Sequence, residues 1–356
     1  MNTSVQGAAT GSDAGIAGPL GAWLGERLDA PDLTVRGIVR HTEGFSWQTY
    51  TLDADWRDAA DGRRHTRGFA VRVEPRDGLL APYDIEAQYR LNQVVSRQSS
   101  VPAPAPLWLE TDPGVLGMPF YVMERATGHV PVQWRAEDPI AFPTPQARRA
   151  IGLEFVDIQA EIHAIDWRSD LAFLASDTDP ARSAQAQLDY WVDRYERGRM
   201  VELPVVREAI AWLRVNLEPS DRLVLCHGDY RIGNFMVRDG RVVAVFDWEL
   251  AHVGDPVEDL AYAGLPLWRG RDPRLSHLLA PEDFFARYAE RTGFAVSPQA
   301  FRAWTIFGLV KAAATYVQGS RAFEEGRTGD LRLAVMGHQI VHVLRHLARA
   351  LDGESI

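Results

Sequence analysis

The sequence predicts an α+β protein with two lobes, and three features of the chain support this prediction. Its 356 residues, 46% apolar and 24% charged, are enough to bury two hydrophobic cores. Strand-like apolar segments are concentrated in the first 124 residues, whereas helical spacing of apolar residues dominates after residue 145. We therefore expect residues 21–123 to form an amino-terminal lobe and residues 124–356 to form a carboxy-terminal lobe.

The amino-terminal lobe is predicted to begin after a polar tail. Residues 1–20 are rich in Gly, Ala, Ser and Thr, which predicts disorder. Trp23–Leu28 has the pattern of a short helix, and a polar insert is expected at 53–67. Three apolar segments predict strands, at Val35–Arg40, Trp47–Leu52 and Gly68–Val73.

A helix and a fourth strand are expected to complete this lobe. Asp84–Val95 carries apolar residues at helical spacing. The proline-rich stretch 102–106 predicts an extended linker. Phe120–Glu124 is an apolar segment that predicts a strand leading into the second lobe.

The carboxy-terminal lobe is predicted to consist mainly of helices with one small hairpin among them. Leu223–Cys226 and Val242–Phe246 are apolar strand segments, and an Asp-Gly turn at 239–240 precedes the second. The helices are expected at Gln146–Ile165, Ala184–Arg199, Val205–Asn216, Pro256–Leu265, Pro281–Thr292, Pro298–Phe323 and Leu331–Leu351.

Three oxygen-bearing side chains lie around this hairpin at a spacing that suits phosphoryl transfer. Asp229 and Asn234 are five residues apart in the loop after the first strand, and Asp247 ends the second apolar run. A carboxylate and an amide carbonyl are hard oxygen ligands of the kind that Mg²⁺ binds. The other carboxylate, Asp229, can accept a proton from an attacking hydroxyl. Each residue taken alone is equally well explained as a cap or turn residue, but the ordered set is not.

This arrangement resembles the catalytic core of the aminoglycoside phosphotransferase and choline kinase family, a branch of the protein-kinase-like fold. The matching residues are His227-Gly228-Asp229, Asn234 and Phe246-Asp247-Trp248-Glu249. The resemblance implies a first lobe made of an antiparallel sheet plus a helix, and a mainly helical second lobe. It also implies that ATP is the phosphoryl donor, that Asp229 is the catalytic base and that Asn234 and Asp247 bind magnesium.

The lysine content restricts how such a protein can bind phosphate. Lys311 is the only lysine, so a P-loop is excluded and the strand lysine of protein kinases must be replaced. Arg72 shares a strand face with Ala70, which is similar to the Ala-x-Lys pattern of kinase strands. A guanidinium can bind phosphate oxygens through two donors, so Arg72 is the predicted replacement.

The family resemblance implies further nucleotide contacts in the first lobe. The loop 42–46, which ends at Ser46, is the candidate for a loop that lies over the nucleotide phosphates. Glu86 is the predicted ion-pair partner of Arg72, although another register of the helix would place Gln88 there. The hinge between the lobes is expected at Glu124 and Arg125, where backbone groups would contact the adenine.

The acceptor is expected to be a small molecule with a hydroxyl group, bound near Asp229 on the second lobe. The stretches 188–196, 267–271 and 320–323 are candidates, and from them we select Asp193, Trp268 and Arg321. Arg72 and the Asp-Trp-Glu sequence look more like acyl-CoA-dehydrogenase-associated phosphotransferases. A hydroxyacyl-CoA kinase and a pseudokinase that binds nucleotide without catalysis therefore remain alternatives to a general small-molecule kinase.

Composition limits the environment and the partners of the protein. One cysteine excludes a disulfide framework, and no basic leader or 18-residue apolar run is present, so we expect a cytoplasmic protein without a membrane partner. The formal net charge of −10 disfavours binding to nucleic acid.

Overall fold

The computed structural model describes residues 14–41, 47–58, 62–76 and 79–354. The chain divides into two compact units. The amino-terminal unit contains the chain up to Tyr89 together with Pro104–Arg125, and the carboxy-terminal unit contains Arg90–Ala103 and Ala126–Ile356. This division differs from the predicted boundary mainly in residues 90–103, which group with the second unit. Among the described residues, no helix has the length and hydropathy needed to cross a membrane.

The amino-terminal unit is built on one five-stranded antiparallel sheet. The strand order is β1-β2-β3-β5-β4. The elements in chain order are α1 (Ala14–Arg27), β1 (Thr34–His41), β2 (Gln48–Arg57), β3 (Arg64–Val73), α2 (Ile85–Gln98), β4 (Pro106–Glu110) and β5 (Phe120–Glu124). Only the first residues of α2 belong to this unit. The sheet and the helices of the second unit confirm the predicted α+β class.

Helix α1 begins earlier than the sequence predicted. It includes residues 14–20, which we had assigned to the disordered tail, while residues 1–13 lie outside the described part of the chain. Leu20, Trp23 and Leu24 are buried, and the Trp23 ring lies 4.8 Å from that of Phe120 in β5. This packing against the sheet outweighs the low helix propensity of a glycine-containing segment, which composition alone could not show.

The predicted polar insert at 53–67 is wrong, because β2 and β3 continue through most of it. Asp55 of β2 lies opposite Thr66 of β3, and its buried carboxylate accepts a hydrogen bond from the Thr66 hydroxyl. The same carboxylate forms an ion pair with Arg36 of β1. The polar residues are therefore cross-strand partners, and a pattern of apolar residues could not reveal them. The predicted linker at 102–106 likewise ends in a strand, since β4 begins at Pro106 on the sheet edge.

The carboxy-terminal unit contains all seven predicted helices and two short additional ones. Seven of these nine described helices have a proline in the first two positions, where the missing N–H group costs nothing. The helices are α3 (Pro145–His163), α4 (Trp167–Asp170), α5 (Pro180–Gly198), α6 (Pro204–Asn216), α7 (Pro256–Ala263), α8 (Pro266–Arg269), α9 (Pro281–Thr292), α10 (Pro298–Glu324) and α11 (Leu331–Leu351).

Helix α10 is the central helix of this unit. Every residue from 303 to 314 is buried, and α5, α6, α7 and α11 pack around it. A helix that is apolar on all sides must be buried on all sides. Lys311 is the one charged residue in this stretch.

Two small antiparallel sheets lie among the helices. The predicted Asp-Gly turn closes an antiparallel hairpin of β7 (Phe235–Arg238), which we did not predict as a strand, and β8 (Arg241–Val245), which we did. The preceding strand, β6 (Val224–Cys226), does not join it, but pairs with β9 (His252–Gly254). We did not predict β9, because three residues are too few to show strand alternation. The loop 227–234 connects the two sheets.

Candidate active site

The open end of the β7–β8 hairpin brings Asn234 and Asp247 close together. Phe235 pairs with Val245, and the next N–H group, that of Phe246, donates to the Asn234 carbonyl at 2.9 Å. Asn234 and Asp247 therefore flank the hairpin at the same end. The backbone of Asp247 is left-handed, with φ 64°, a conformation that Asp adopts more readily than most residues. This turn directs the chain away from β8 immediately after the carboxylate.

Asp229 is joined to Asn234 by two hydrogen bonds. The Asn234 amide nitrogen donates to Oδ2 of Asp229 at 2.6 Å and to its backbone carbonyl at 2.8 Å. The carboxylate also accepts from Nε of Arg231, at 2.9 and 3.1 Å to its two oxygens. Two donor side chains thus fix the orientation of this carboxylate, and the amide oxygen of Asn234 is the atom that can ligate a cation.

Arg231 is a functional candidate that the sequence analysis missed. Besides Asp229, its guanidinium contacts the side-chain oxygen of Gln133 and lies 5.4 Å from the ring of Trp268. Burial would lower the pKa of Arg231, but the carboxylates of Asp229 and Asp247 raise it above its ordinary value. The sequence could have revealed Arg231, because residues two apart in extended backbone point to the same side. Arg231 is extended and follows Asp229 by two residues.

Buried hydrogen bonds hold the backbone just before Asp229. The carboxylate of Asp259, in α7, accepts the N–H groups of His227 at 2.6 Å and Gly228 at 2.8 Å. A ring nitrogen of His163 lies 3.3 Å from the same carboxylate. Burial would raise the pKa of Asp259, but the hydrogen bond and charge of His163 bring it to about 2. Asp259 therefore stays ionised while it anchors the loop.

His227 links the loop to the hairpin through both of its ring nitrogens. Its Nδ1 accepts the Asp229 N–H at 3.2 Å, and its Nε2 donates to the Phe246 carbonyl at 2.7 Å. This pattern requires the neutral ring, and burial lowers the pKa of His227 accordingly. Gly228 has φ +80°, and a Cβ there would lie 2.1 Å from the Leu250 carbonyl oxygen. Only glycine fits this position.

In the amino-terminal unit, the structure places Arg72 and Ala70 on one face of β3, as predicted. Arg72 is half-buried, and its guanidinium lies 5.5 Å from the Trp47 ring. Glu86 is exposed and forms no ion pair with Arg72 or with any other residue of the described chain. Gln88 is half-buried and lies three residues after buried Ile85. Gln88 therefore lies on the packed side of α2 and Glu86 does not, while which of the two faces Arg72 stays a prediction.

The two predicted hinge side chains are engaged with their own sheet. The exposed Glu124 pairs with Arg67 at 3.3 Å. Arg125 binds the Asp53 carboxylate at 2.7 Å and lies across Gly68, where a Cβ would be 2.4 Å from its Nε. That the backbone of the hinge, and not its side chains, contacts the adenine stays a prediction. Ser46 lies outside the described residues.

Comparison with known proteins identifies a protein family to which this sequence matches. The profile of the phosphotransferase enzyme family matches residues 43–304. The chain belongs to this family. The predicted membership of a phosphotransferase family is thereby confirmed.

Two groups of proteins are similar to this phosphotransferase family member. Acyl-CoA dehydrogenase family member 10 of Mus musculus is 30% identical over 64% of the chain, and member 11 of Gallus gallus is 31% identical over 55%. These matches cover only 22% and 25% of the lengths of those relatives.

Solved structures share the fold at lower sequence identity. A Ralstonia eutropha protein assigned to the aminoglycoside phosphotransferases superposes with a TM-score of 0.72 at 22% identity, covering 95% of this chain and 98% of its own. The aminoglycoside phosphotransferase APH(4)-Ia, as a thermostable mutant in a complex with ADP and hygromycin B, gives 0.57 at 17% identity, covering 92% and 98%.

Of the predicted acceptor residues, the structure brings only Trp268 near Asp229. Its ring lies 5.6 Å from that of Tyr262, and its indole N–H is buried without a hydrogen-bond partner among the described residues. Asp193 is exposed and pairs with Arg197. Arg321 is half-buried, pairs with Glu325 at 2.6 Å and lies ten residues, about 15 Å, along α10 from Lys311. Asp193 and Arg321 are thus held in surface ion pairs.

A buried cluster of His163, Cys226 and Asp259 has side chains of metal-ligand type within 4.8 Å of one another. Their ligand atoms are already in use. His163 bonds the Tyr288 hydroxyl at 2.7 Å as well as Asp259, and the Cys226 thiol donates to the Asp255 carbonyl at 3.4 Å. Burial raises the pKa of this thiol well above its ordinary value, which keeps it protonated. The cluster supports the loop through hydrogen bonds.

Proposed function

We propose that the protein is an ATP- and Mg²⁺-dependent small-molecule kinase that transfers the γ-phosphoryl group to a hydroxyl. The observation that carries the proposal is the meeting of Asp229, Asn234 and Asp247 at one end of the hairpin. One carboxylate is held by two donor side chains, and a second carboxylate and an amide oxygen lie beside it. These are the groups that in-line phosphoryl transfer requires from a protein.

Each residue has a distinct proposed role. Asp229 accepts the proton of the attacking hydroxyl, and its fixed orientation aims the lone pair before the acceptor arrives. The amide oxygen of Asn234 and the carboxylate of Asp247 ligate magnesium, which neutralises charge on the phosphates when bound. Arg231 adds a positive charge next to the base, where charge develops on the transferred group. Arg72 is proposed to bind the phosphates of the nucleotide.

The charges near Asp229 also favour one class of acceptor. The guanidinium of Arg231 lies next to the base and can bind an acidic group of the acceptor, which favours an acceptor that carries such a group. The similarity to acyl-CoA dehydrogenase family members points in the same direction. A hydroxyacyl-CoA or a related hydroxy acid is therefore the acceptor to test first, and aminoglycosides are the comparison.

The first experiment measures nucleotide binding and transfer by the wild-type protein. ATP with Mg²⁺ at a hundredfold excess over Kd should raise the free energy of unfolding by about 2.7 kcal/mol. ADP release should then depend on an acceptor from a panel of hydroxyacyl-CoA, hydroxy acid, sugar and aminoglycoside compounds. An unchanged unfolding midpoint would reject the nucleotide site. Binding without transfer to any acceptor would favour the pseudokinase alternative.

A further inference from the structure

The single lysine of the chain contacts the loop that carries Asp229. Lys311 is 1% exposed in the centre of α10, and its Nζ donates to the Gly228 carbonyl at 2.6 Å. It also forms an ion pair with Glu258 of α7 at 2.9 Å. In the sequence alone, the position of this single lysine only excluded a P-loop and the usual strand lysine of protein kinases.

The charge of Lys311 is compensated from several sides. The second oxygen of Glu258, itself 1% exposed, bonds a ring nitrogen of His252 at 3.0 Å. The rings of Trp191 and Tyr262 lie 5.1 and 5.0 Å from the ammonium. Burial would raise the pKa of Glu258, but His252 and Lys311 lower it below its ordinary value, so the Glu258 carboxylate is ionised.

Such a buried ion pair is a costly way to stabilise a fold. Removing two charges from water costs as much as their attraction returns, and apolar residues of the same size usually serve as well. The rest of the buried stretch of α10 is uncharged. A lysine here therefore needs an explanation beyond stability, and the hydrogen bond to Gly228 supplies one.

That hydrogen bond fixes the peptide unit which enters the proposed base. The Gly228 carbonyl and the Asp229 nitrogen belong to one planar peptide group, so holding the oxygen also holds the nitrogen. Lys311 holds this group at the carbonyl, and His227 holds it at the N–H.

We propose that Lys311 is a positioning residue for phosphoryl transfer, which orients Asp229 by holding the Gly228 carbonyl. It acts through the loop and touches neither the carboxylate of Asp229 nor the reacting groups. The proposal rests on the kinase function proposed above, so its test needs one measurement that does not depend on turnover.

The test uses a variant that removes both buried charges. Lys311→Met alone leaves Glu258 buried without its cation, and loss of stability would then obscure the result. In the double variant Lys311→Met/Glu258→Gln no unpaired charge remains, so the fold should be retained while the donor to Gly228 is missing. Arg302→Met is the matched control, because Arg302 also lies on α10 and donates to backbone carbonyls, of Ala350 and Leu351 at the end of α11.

Two readouts decide the outcome. Hydrogen exchange of the peptide spanning 223–235 should be faster in the double variant than in wild type and unchanged in Arg302→Met. With an acceptor in hand, kcat of the double variant should fall by about tenfold to a hundredfold while its ATP affinity is retained, since misplacement of a reacting group has effects of this size.

The opposite results would overturn the proposal. Unchanged exchange of the 223–235 peptide in the double variant would show that Lys311 does not hold the loop, whether or not the protein proves to be a kinase. Wild-type kcat in a stably folded double variant would show that Lys311 only balances the charge of Glu258. A wild-type protein without transfer activity would count against the proposed function, and the exchange measurement would still decide the role of Lys311.

Discussion

Charged side chains in the two units differ sharply in their surroundings. Beneath the loop 227–234, Asp259, Glu258 and Lys311 are at most 1% exposed, and each binds more than one partner. On the sheet of the amino-terminal unit, the pair of Arg67 and Glu124 has side chains that are 42% and 54% exposed. Both regions contain ion pairs, and among the described residues those of the first region are bonded to the backbone of the loop 227–234.

This difference indicates which charged side chains hold the backbone of the loop in place. An exposed pair is screened by water and contributes little to stability. A buried carboxylate that accepts backbone N–H groups cannot be removed without leaving those donors unsatisfied. We therefore expect substitutions beneath the loop to have large effects and substitutions on the sheet surface to have small ones, and the following predictions test this contrast.

The largest effect on stability is expected for Asp259→Ala. The substitution leaves two backbone N–H groups and His163 without an acceptor, and breaking a buried charge pair typically costs about 3–5 kcal/mol. Urea titration measures this loss as a change in the free energy of unfolding. Asp283→Ala is the control, since this exposed carboxylate pairs with exposed Arg149 and its loss should cost below about 1 kcal/mol. Equal losses in the two variants would contradict the contrast.

Arg231→Gln should have a large effect on turnover and a smaller one on folding. Glutamine keeps a hydrogen-bond donor but removes the positive charge beside Asp229, and the loss of one electrostatic stabiliser typically lowers kcat by about 10²–10³. Steady-state kinetics with a confirmed acceptor, together with the unfolding midpoint, provide the measurement. Normal kcat in this variant would limit Arg231 to a structural role.

Glu124→Gln should have the smallest effect. Its partner Arg67 is exposed, so the free energy of unfolding should change by less than about 1 kcal/mol. ATP affinity should also stay the same, because the hinge is expected to bind adenine through its backbone. Isothermal titration with ATP checks this point, and a clear loss of affinity would show that the carboxylate itself contacts the nucleotide.

The sequence predicted those parts of the protein whose determinants are local. Long helices such as α10 and α11 were found because their apolar residues repeat over many turns. Asp229, Asn234 and Asp247 were found because they lie within one short ordered motif. The strand β9 was missed because it has three residues, and residues 14–20 were assigned to a tail because packing on the sheet, not composition, makes them helical.

The contacts that hold the loop 227–234 in place could not be predicted, since they join residues that are far apart in the sequence. Lys311 and Gly228 are 83 residues apart, and His163 and Asp259 are 96 apart. No local pattern identifies such partners. Arg231 is a different case, because its two-residue spacing from Asp229 was visible. Glu86 was chosen by its charge, whereas the burial of α2 places Gln88 on the packed side.

The central claim is that Asp229 and Asp247 have different tasks, and comparing Asp229→Asn with Asp247→Asn tests it most directly. Asp229→Asn should keep ATP affinity and its Mg²⁺ dependence by isothermal titration, while turnover falls by about 10²–10⁴, the usual contribution of a positioned base. Asp247→Asn should weaken the Mg²⁺-dependent part of ATP binding as well as turnover. Full activity of Asp229→Asn, or the same binding defect in both variants, would contradict this account.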